Sequence, residues 1–217
     1  NTTQGSFSPY GSNWGNYFDG SSSYLAASTS NLTLGTGDFT AECWFYRTVA
    51  NDSSTAQCIF ADGSDAGGLV VAMYQNKMYC YFVGAGGIFN SVSPTIVNGT
   101  WNHFAWTRSG STMYAFLNGV LLGTTSNSGN HSSTGGFAVG DTSASGTNMN
   151  NWQGYISNVR LVKGTALYTS SFTPITSPLT AVSGTQMLTA QSNRFIDNSA
   201  NAYTFTLTGT PQVSRFS

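Results

Sequence analysis

Charge is the scarcest property of this chain. Only 7% of its 217 residues are charged, against about 25% in an ordinary soluble domain. Its seven basic residues, Arg47, Lys77, Arg108, Arg160, Lys163, Arg194 and Arg215, are scattered and the net charge is −1. No basic stripe exists to neutralise phosphates, which argues against nucleic acid as a partner. Apolar runs long enough to cross a bilayer are missing, as are a signal peptide and a lipidation motif, so no membrane insertion is expected. No CxxC pair or Cys/His cluster suggests zinc. The chain starts at Asn1 and not at Met, which reads as processing or as one piece of a longer polypeptide.

Cysteine is sparse too. Cys43, Cys58 and Cys80 allow at most one intrachain disulfide, and they read first as three small buried hydrophobes. Carboxylates are few, and Glu42 is the single glutamate. Glycoside hydrolysis needs two carboxyl groups across the scissile bond. Glu42 lies between Ala41 and Cys43 with no second acid at alternating positions, so a hydrolase would have to draw on an aspartate pair from distant loops. No G-x-S-x-G elbow or phosphate-binding glycine loop occurs. The histidines are His103, on a strand, and His131, in the polar loop 126–134, where it is expected in solvent.

What is present is material for a large core: 40% hydrophobic and 14% aromatic residues. Ser, Thr, Asn and Gly must then make the surface. Because apolar runs recur along the whole chain, the Ser/Gly/Asn richness does not signal disorder. The runs read as strands: 39–46, 68–74, 77–83, 101–108, 111–117, 120–124, 136–140, 154–162, 186–190 and 203–208. Asn118-Gly119 between two apolar runs is a strong hairpin signal, because both turn residues need positive φ. Gln75-Asn76 joins another pair. No stretch has helical period, although 164–168 could form one helical turn. Many short strands with regular turns predict an all-β, antiparallel two-sheet jelly-roll sandwich, in one domain of 1–217.

Several segments together resemble the laminin-G-like, concanavalin A-type lectin/glucanase superfamily. Residues 16–25 (NYFDGSSSYL) are similar to its opening strand, and Asp38–Tyr46 to its "FT-x-E-x-W" strand. Trp101–Trp106, with Tyr114 and Asn118-Gly119, is similar to its "W-x-H … Y-x-NG" hairpin. Residues 154–160 (GYISNVR) are similar to its closing strand. Residues 158–169 and 171–174 resemble a variant of phage tail and virion-surface proteins. The segment 185–209 resembles the one that opens such a domain, here placed last. This implies that strands at about 185–210 complete the sandwich next to the N-terminus, or that the chain is one unit of a tandem array.

The resemblance implies a structural hydrogen-bonding role for His103, and it suggests calcium at the sandwich rim, with Asp62 and Asp141 as candidate ligands. Asp141 opens a stretch, 141–146, with oxygen side chains at alternating positions; Asp65 and Asp197 lie in similar turns. Calcium wants six to eight oxygens, and the competing reading of each aspartate is an Asx turn. For a sugar, the loop 141–153 offers planar amides and a ring: Asn148, Asn150 and Trp152, with Asn151 and Gln153. Trp152 also reads as core, like Trp44, Trp101 and Trp106. Four Asn-x-Ser/Thr sequons, at Asn31, Asn51, Asn98 and Asn130, matter only in a eukaryotic source.

These observations lead to a non-catalytic, lectin-like adhesion or display domain on a virion or extracellular surface. It would engage cell-surface glycans weakly and gain avidity from many copies. The alternative partner is another virion or filament subunit, with the domain as decoration, and a glycoside hydrolase is the distant third reading.

Overall fold

Alternation sets the fold. In the run from Phe39 to Phe45, Phe39, Ala41, Cys43 and Phe45 enter the core, and the residues between them face the other way. Period-two alternation of this kind makes strands with one buried face. A computed structural model describes residues 14–29, 32–49, 55–62, 68–82, 87–92, 96–132, 135–142 and 149–215. They contain fifteen strands and no helix.

One sheet has eight strands. Along its main path lie β10 (Val120–Ser126), β9 (Thr112–Leu117), β8 (Trp101–Ser109), β3 (Phe39–Arg47), β12 (Gln153–Lys163), β1 (Trp14–Asp19) and β15 (Gln212–Arg215). β13 (Thr185–Thr189) also pairs with β12. β1 takes residues 153–156 of β12 and β13 takes residues 159–162. Between them sits Asn158 at φ 53°, an irregular position that asparagine tolerates better than most residues.

The second sheet has seven strands, in the order β14 (Phe205–Thr208), β2 (Tyr24–Ala27), β11 (Phe137–Val139), β4 (Gln57–Asp62), β5 (Leu69–Tyr74), β6 (Lys77–Phe82) and β7 (Gly87–Val92). All ladder pairings in both sheets are antiparallel. The inner faces enclose one core, with Phe18, Phe39, Phe45, Phe60, Phe82, Phe104, Trp106, Phe137 and Trp152 among its largest members. The chain is therefore a jelly-roll sandwich.

Both hairpin turns have the positive φ that their sequences call for: Gln75 at 49° and Asn76 at 59°, Asn118 at 52° and Gly119 at 77°. The three cysteines are buried free thiols. Residues 164–168 form bends and no helical turn. They begin a strap, residues 164–182, that crosses the outer face of the eight-stranded sheet. The C-terminal strands join both sheets beside N-terminal ones, β14 on β2 and β15 on β1.

Candidate functional site

Among the described residues, each carboxylate accepts at least one hydrogen bond. Glu42, on the outward side of β3, is fully buried beneath the strap. Arg160 donates to its Oε1 from Nε at 2.8 Å and from Nη2 at 2.5 Å. His103 donates from Nε2 to Oε2 at 3.1 Å, and the Tyr168 hydroxyl donates to the same oxygen at 3.0 Å. Burial pushes the Glu42 carboxyl up, but the hydrogen bond and charge of His103 and then the Arg160 guanidinium more than offset this and hold it below the usual range. Burial and the adjacent Glu42 charge raise the Tyr168 phenol. Asp19 Oδ1 accepts the backbone N–H groups of Ser21, Ser22 and Ser23, and Asp197 accepts those of Leu188, Ser199 and Tyr203.

Asp62 ends β4 and points into the core. His131 donates from Nε2 to Asp62 Oδ1 at 2.8 Å, while its Nδ1 accepts the Leu34 N–H at 2.9 Å. That assigns the ring a neutral form with its proton on Nε2. Asp62 Oδ1 also accepts the Leu69 N–H at 2.8 Å. His131 is thus not the solvated loop residue its sequence setting suggests. Its backbone bridges to Gly35 in both directions, and this docks the loop against the core.

Asp141 lies partly exposed beyond the end of β11, and its Oδ1 accepts the Thr142 N–H. Phe137, at the start of β11, pairs with Asp62. The two aspartates are thus separated by four residues of extended chain, about 13 Å, and the structure does not bring them together. Among the described residues no group of three or more His, Cys, Asp or Glu side chains could hold a metal.

The sugar candidates divide in the same way. Asn148 lies outside the described residues. Trp152 is fully buried and meets Phe45 edge-on at 5.7 Å. Asn150 is exposed, and its backbone is clamped to β4: its N–H donates to the Ala56 carbonyl, and its carbonyl accepts from Cys58 N–H. The adjacent Met149 packs on a small apolar cluster on the outer face of the seven-stranded sheet.

That face carries a tyrosine ridge that motif reading missed. Strand register lines up Cys58, Ala72 and Tyr79 in one row, and Ala61, Val70 and Tyr81 in the next. Small buried side chains make the floor on β4 and β5, and the rings rise on β6 and at the end of β5. Tyr79 lies 5.0 Å from Tyr81 and 6.3 Å from Tyr74, centroid to centroid. Tyr74 and Tyr79 are partly exposed, whereas Tyr81 is mostly buried. The signal was available in Lys77–Phe82. With Met78, Cys80 and Phe82 in the core, Tyr79 and Tyr81 must face outward. Tyrosine rings pair an apolar face with a polar tip, and Asn150 lies across β4 and β5 from the rings of β6.

Comparison with known proteins matches residues 19–168 to a laminin-G-type family model described as the concanavalin A-like lectin/glucanases superfamily. No curated protein matches the chain. Among solved structures, the fold is similar to a Bacteroides ovatus protein assigned to carbohydrate binding, with TM-score 0.67 and 14% identity, covering 94% of this chain and 60% of that one. It is also similar to the heptameric SAP-like pentraxin of Limulus polyphemus, with TM-score 0.62 and 14% identity over 97% and 98% of the two chains. A third likeness is the sialidase carbohydrate-binding module of Ruminococcus gnavus in complex with sialyllactose, with TM-score 0.55 and 12% identity over 71% and 91%. The family match covers most of the chain, which belongs to this superfamily.

Proposed function

We propose that this member of the concanavalin A-like lectin/glucanases superfamily is a non-catalytic glycan-binding domain, with the outer face of its seven-stranded sheet as the binding surface. The observation that carries this reading is the Tyr74–Tyr79–Tyr81 ridge, in which Tyr74 and Tyr79 stay partly exposed. The rings offer faces for the C–H groups of a sugar, and the phenol groups offer hydrogen bonds to its hydroxyls. Carbohydrate-binding neighbours in fold support it. So does the engagement of Glu42 by three side chains, which leaves the one glutamate no catalytic freedom. Titration of uncharged oligosaccharides tests the site: Tyr79→Ala weakens binding at least tenfold, the loss of about 1.4 kcal/mol. Equal binding by this variant overturns the assignment.

The setting belongs to the same proposal. The domain is displayed in several copies on a virion or another extracellular surface, and each weak contact adds to avidity. The low charge and the likeness of residues 158–174 to phage virion-surface proteins support this. Light scattering gives a multimer if the domain itself assembles, and a monomer if copy number comes from the particle that carries it. Calcium, if it acts here, is assigned to the Asp141 loop, since Asp62 is turned onto His131. Calcium then raises the melting temperature and EDTA reverses it; no change in either removes calcium from the account.

A further inference from the structure

The two sheets end in the edge strands β10, β15, β14 and β7, and β13 has a free side beyond β12. An open edge presents unpaired N–H and C=O groups to other chains, and proteins blunt edges with charges, prolines, bulges or covering segments. Four of these five strands carry such a device. β10 is bulged between Leu121 and Gly123, and the Ser171 hydroxyl of the strap accepts the Leu121 N–H at 3.1 Å. β7 meets β6 with two shifts of register. β15 ends on the charged Arg215. β13 is covered by residues 196–198: the Asn198 N–H donates to the Leu188 carbonyl, and Asp197 accepts the Leu188 N–H.

β14 carries none of these devices among the described residues. It follows β2 over four residues with no shift of register, and no described strand pairs with its other side. Residues 198–214 contain no charge, nor do residues 20–37, which include β2. One leucine is exposed there against its setting. Phe205 pairs with Ala27, and Leu207 with Leu25. Directly opposed residues share a face, and Phe205, Ala27 and Leu25 all belong to the core. Leu207 thus stands on the core side, yet it is 46% exposed. The local sequence, Thr204-Phe205-Thr206-Leu207-Thr208, alternates threonine with a large apolar residue, so its pattern is the same read from either end.

We propose that β14 is a self-association edge: two copies of this chain pair their β14 strands antiparallel about a twofold axis at Thr206. Leu207 of each copy then lies opposite Phe205 of the other, on the core side. Thr204 lies opposite Thr208, and Thr206 meets its own counterpart. A twofold contact requires this kind of self-complementarity. The Phe–Leu pairs cover the apolar surface that Leu207 leaves open, and threonine pairs are favourable across strands. No charge on β14 or β2 opposes the approach. The two seven-stranded sheets join into one, with the Tyr74–Tyr79–Tyr81 ridges of β5 and β6 toward its outer ends. One short strand per copy makes a small contact, at the weak end of specific interfaces, so the dimer forms at high concentration and dissociates on dilution.

Sedimentation velocity of the intact chain over a wide concentration range tests this. The average mass rises from that of a monomer toward twice that value. Thr206→Lys sets like charges opposite each other at the axis and weakens dimerisation at least about tenfold, and Thr206→Asp does the same. Mixing the two variants restores the dimer, because each introduced lysine then faces an introduced aspartate. Thr206 is exposed, so the near-UV circular dichroism of both variants matches that of the parent. If neither variant folds, Leu207→Thr, a β-branched replacement suited to a strand, weakens dimerisation in its place. The proposal is overturned by a chain that stays monomeric at every concentration. It is also overturned if the single variants associate as the parent does, which would place the contact elsewhere. A mixture of the two charge variants that remains monomeric would refute the antiparallel register about Thr206, and the proposal with it.

Discussion

Glu42, the single glutamate of the chain, is held in place by three side chains. Its carboxylate is buried, accepts from three side chains and anchors the strap through Tyr168. Removing one partner leaves a buried charge unpaired, so Arg160→Ala costs about 3–5 kcal/mol, measurable by denaturant unfolding. The pH dependence has a definite sign. A carboxyl whose folded pKa lies below its unfolded value contributes its full stability above the ordinary carboxylate range, and loses it as pH falls through the folded value. Glu42 and Asp19 are both held low. Stability should therefore fall below about pH 4.5, and less steeply in Glu42→Gln than in the parent. An unchanged slope would deny Glu42 this role. The cysteines allow a simpler check. Burial pushes all three thiols up, so a thiol reagent should leave the native chain alone and label it only on unfolding.

At the scale of elements, strands were legible and partnerships between loops were not. Apolar runs and the two hairpin turns located β5, β6, β8, β9, β10 and β12 closely, because period-two alternation and positive-φ turns are local signals. β4 escaped because its run, Gln57–Asp62, is short and its partner β11 comes much later in the chain. His131 was misread for the same reason: what buries it is Asp62, 69 residues away. Alternation in β6 did encode the tyrosine ridge, once Met78 and Cys80 were known to face the core. The β9–β10 turn ties these elements to the strap. Gly119 has φ 77°, and a Cβ there would strike the Phe172 carbonyl oxygen. Gly119→Ala should cost about 1–3 kcal/mol for the backbone alone, and more through the strap, seen as a lower melting temperature. An unchanged melting temperature would mean that the strap is not held against this turn.

At the scale of the whole molecule, the C-terminal strands protect the sandwich. β14 covers the edge of β2 and β15 that of β1. Edges left open recruit other chains. A chain ending at residue 202 should therefore aggregate or melt well below the parent; a stable monomer would show that these strands are dispensable. The Tyr74–Tyr79–Tyr81 ridge lies on the outer face of the seven-stranded sheet of this framework. The most direct measurement is an array of uncharged glycans probed with a multivalent form of the domain, with the bound sugar recovered and sized. A lectin-like domain retains at least one glycan, returns it intact, and loses it when Tyr74 and Tyr79 are replaced by alanine. Failure of the multivalent protein to bind any glycan, or recovery of shortened sugar, would contradict a non-catalytic glycan-binding role.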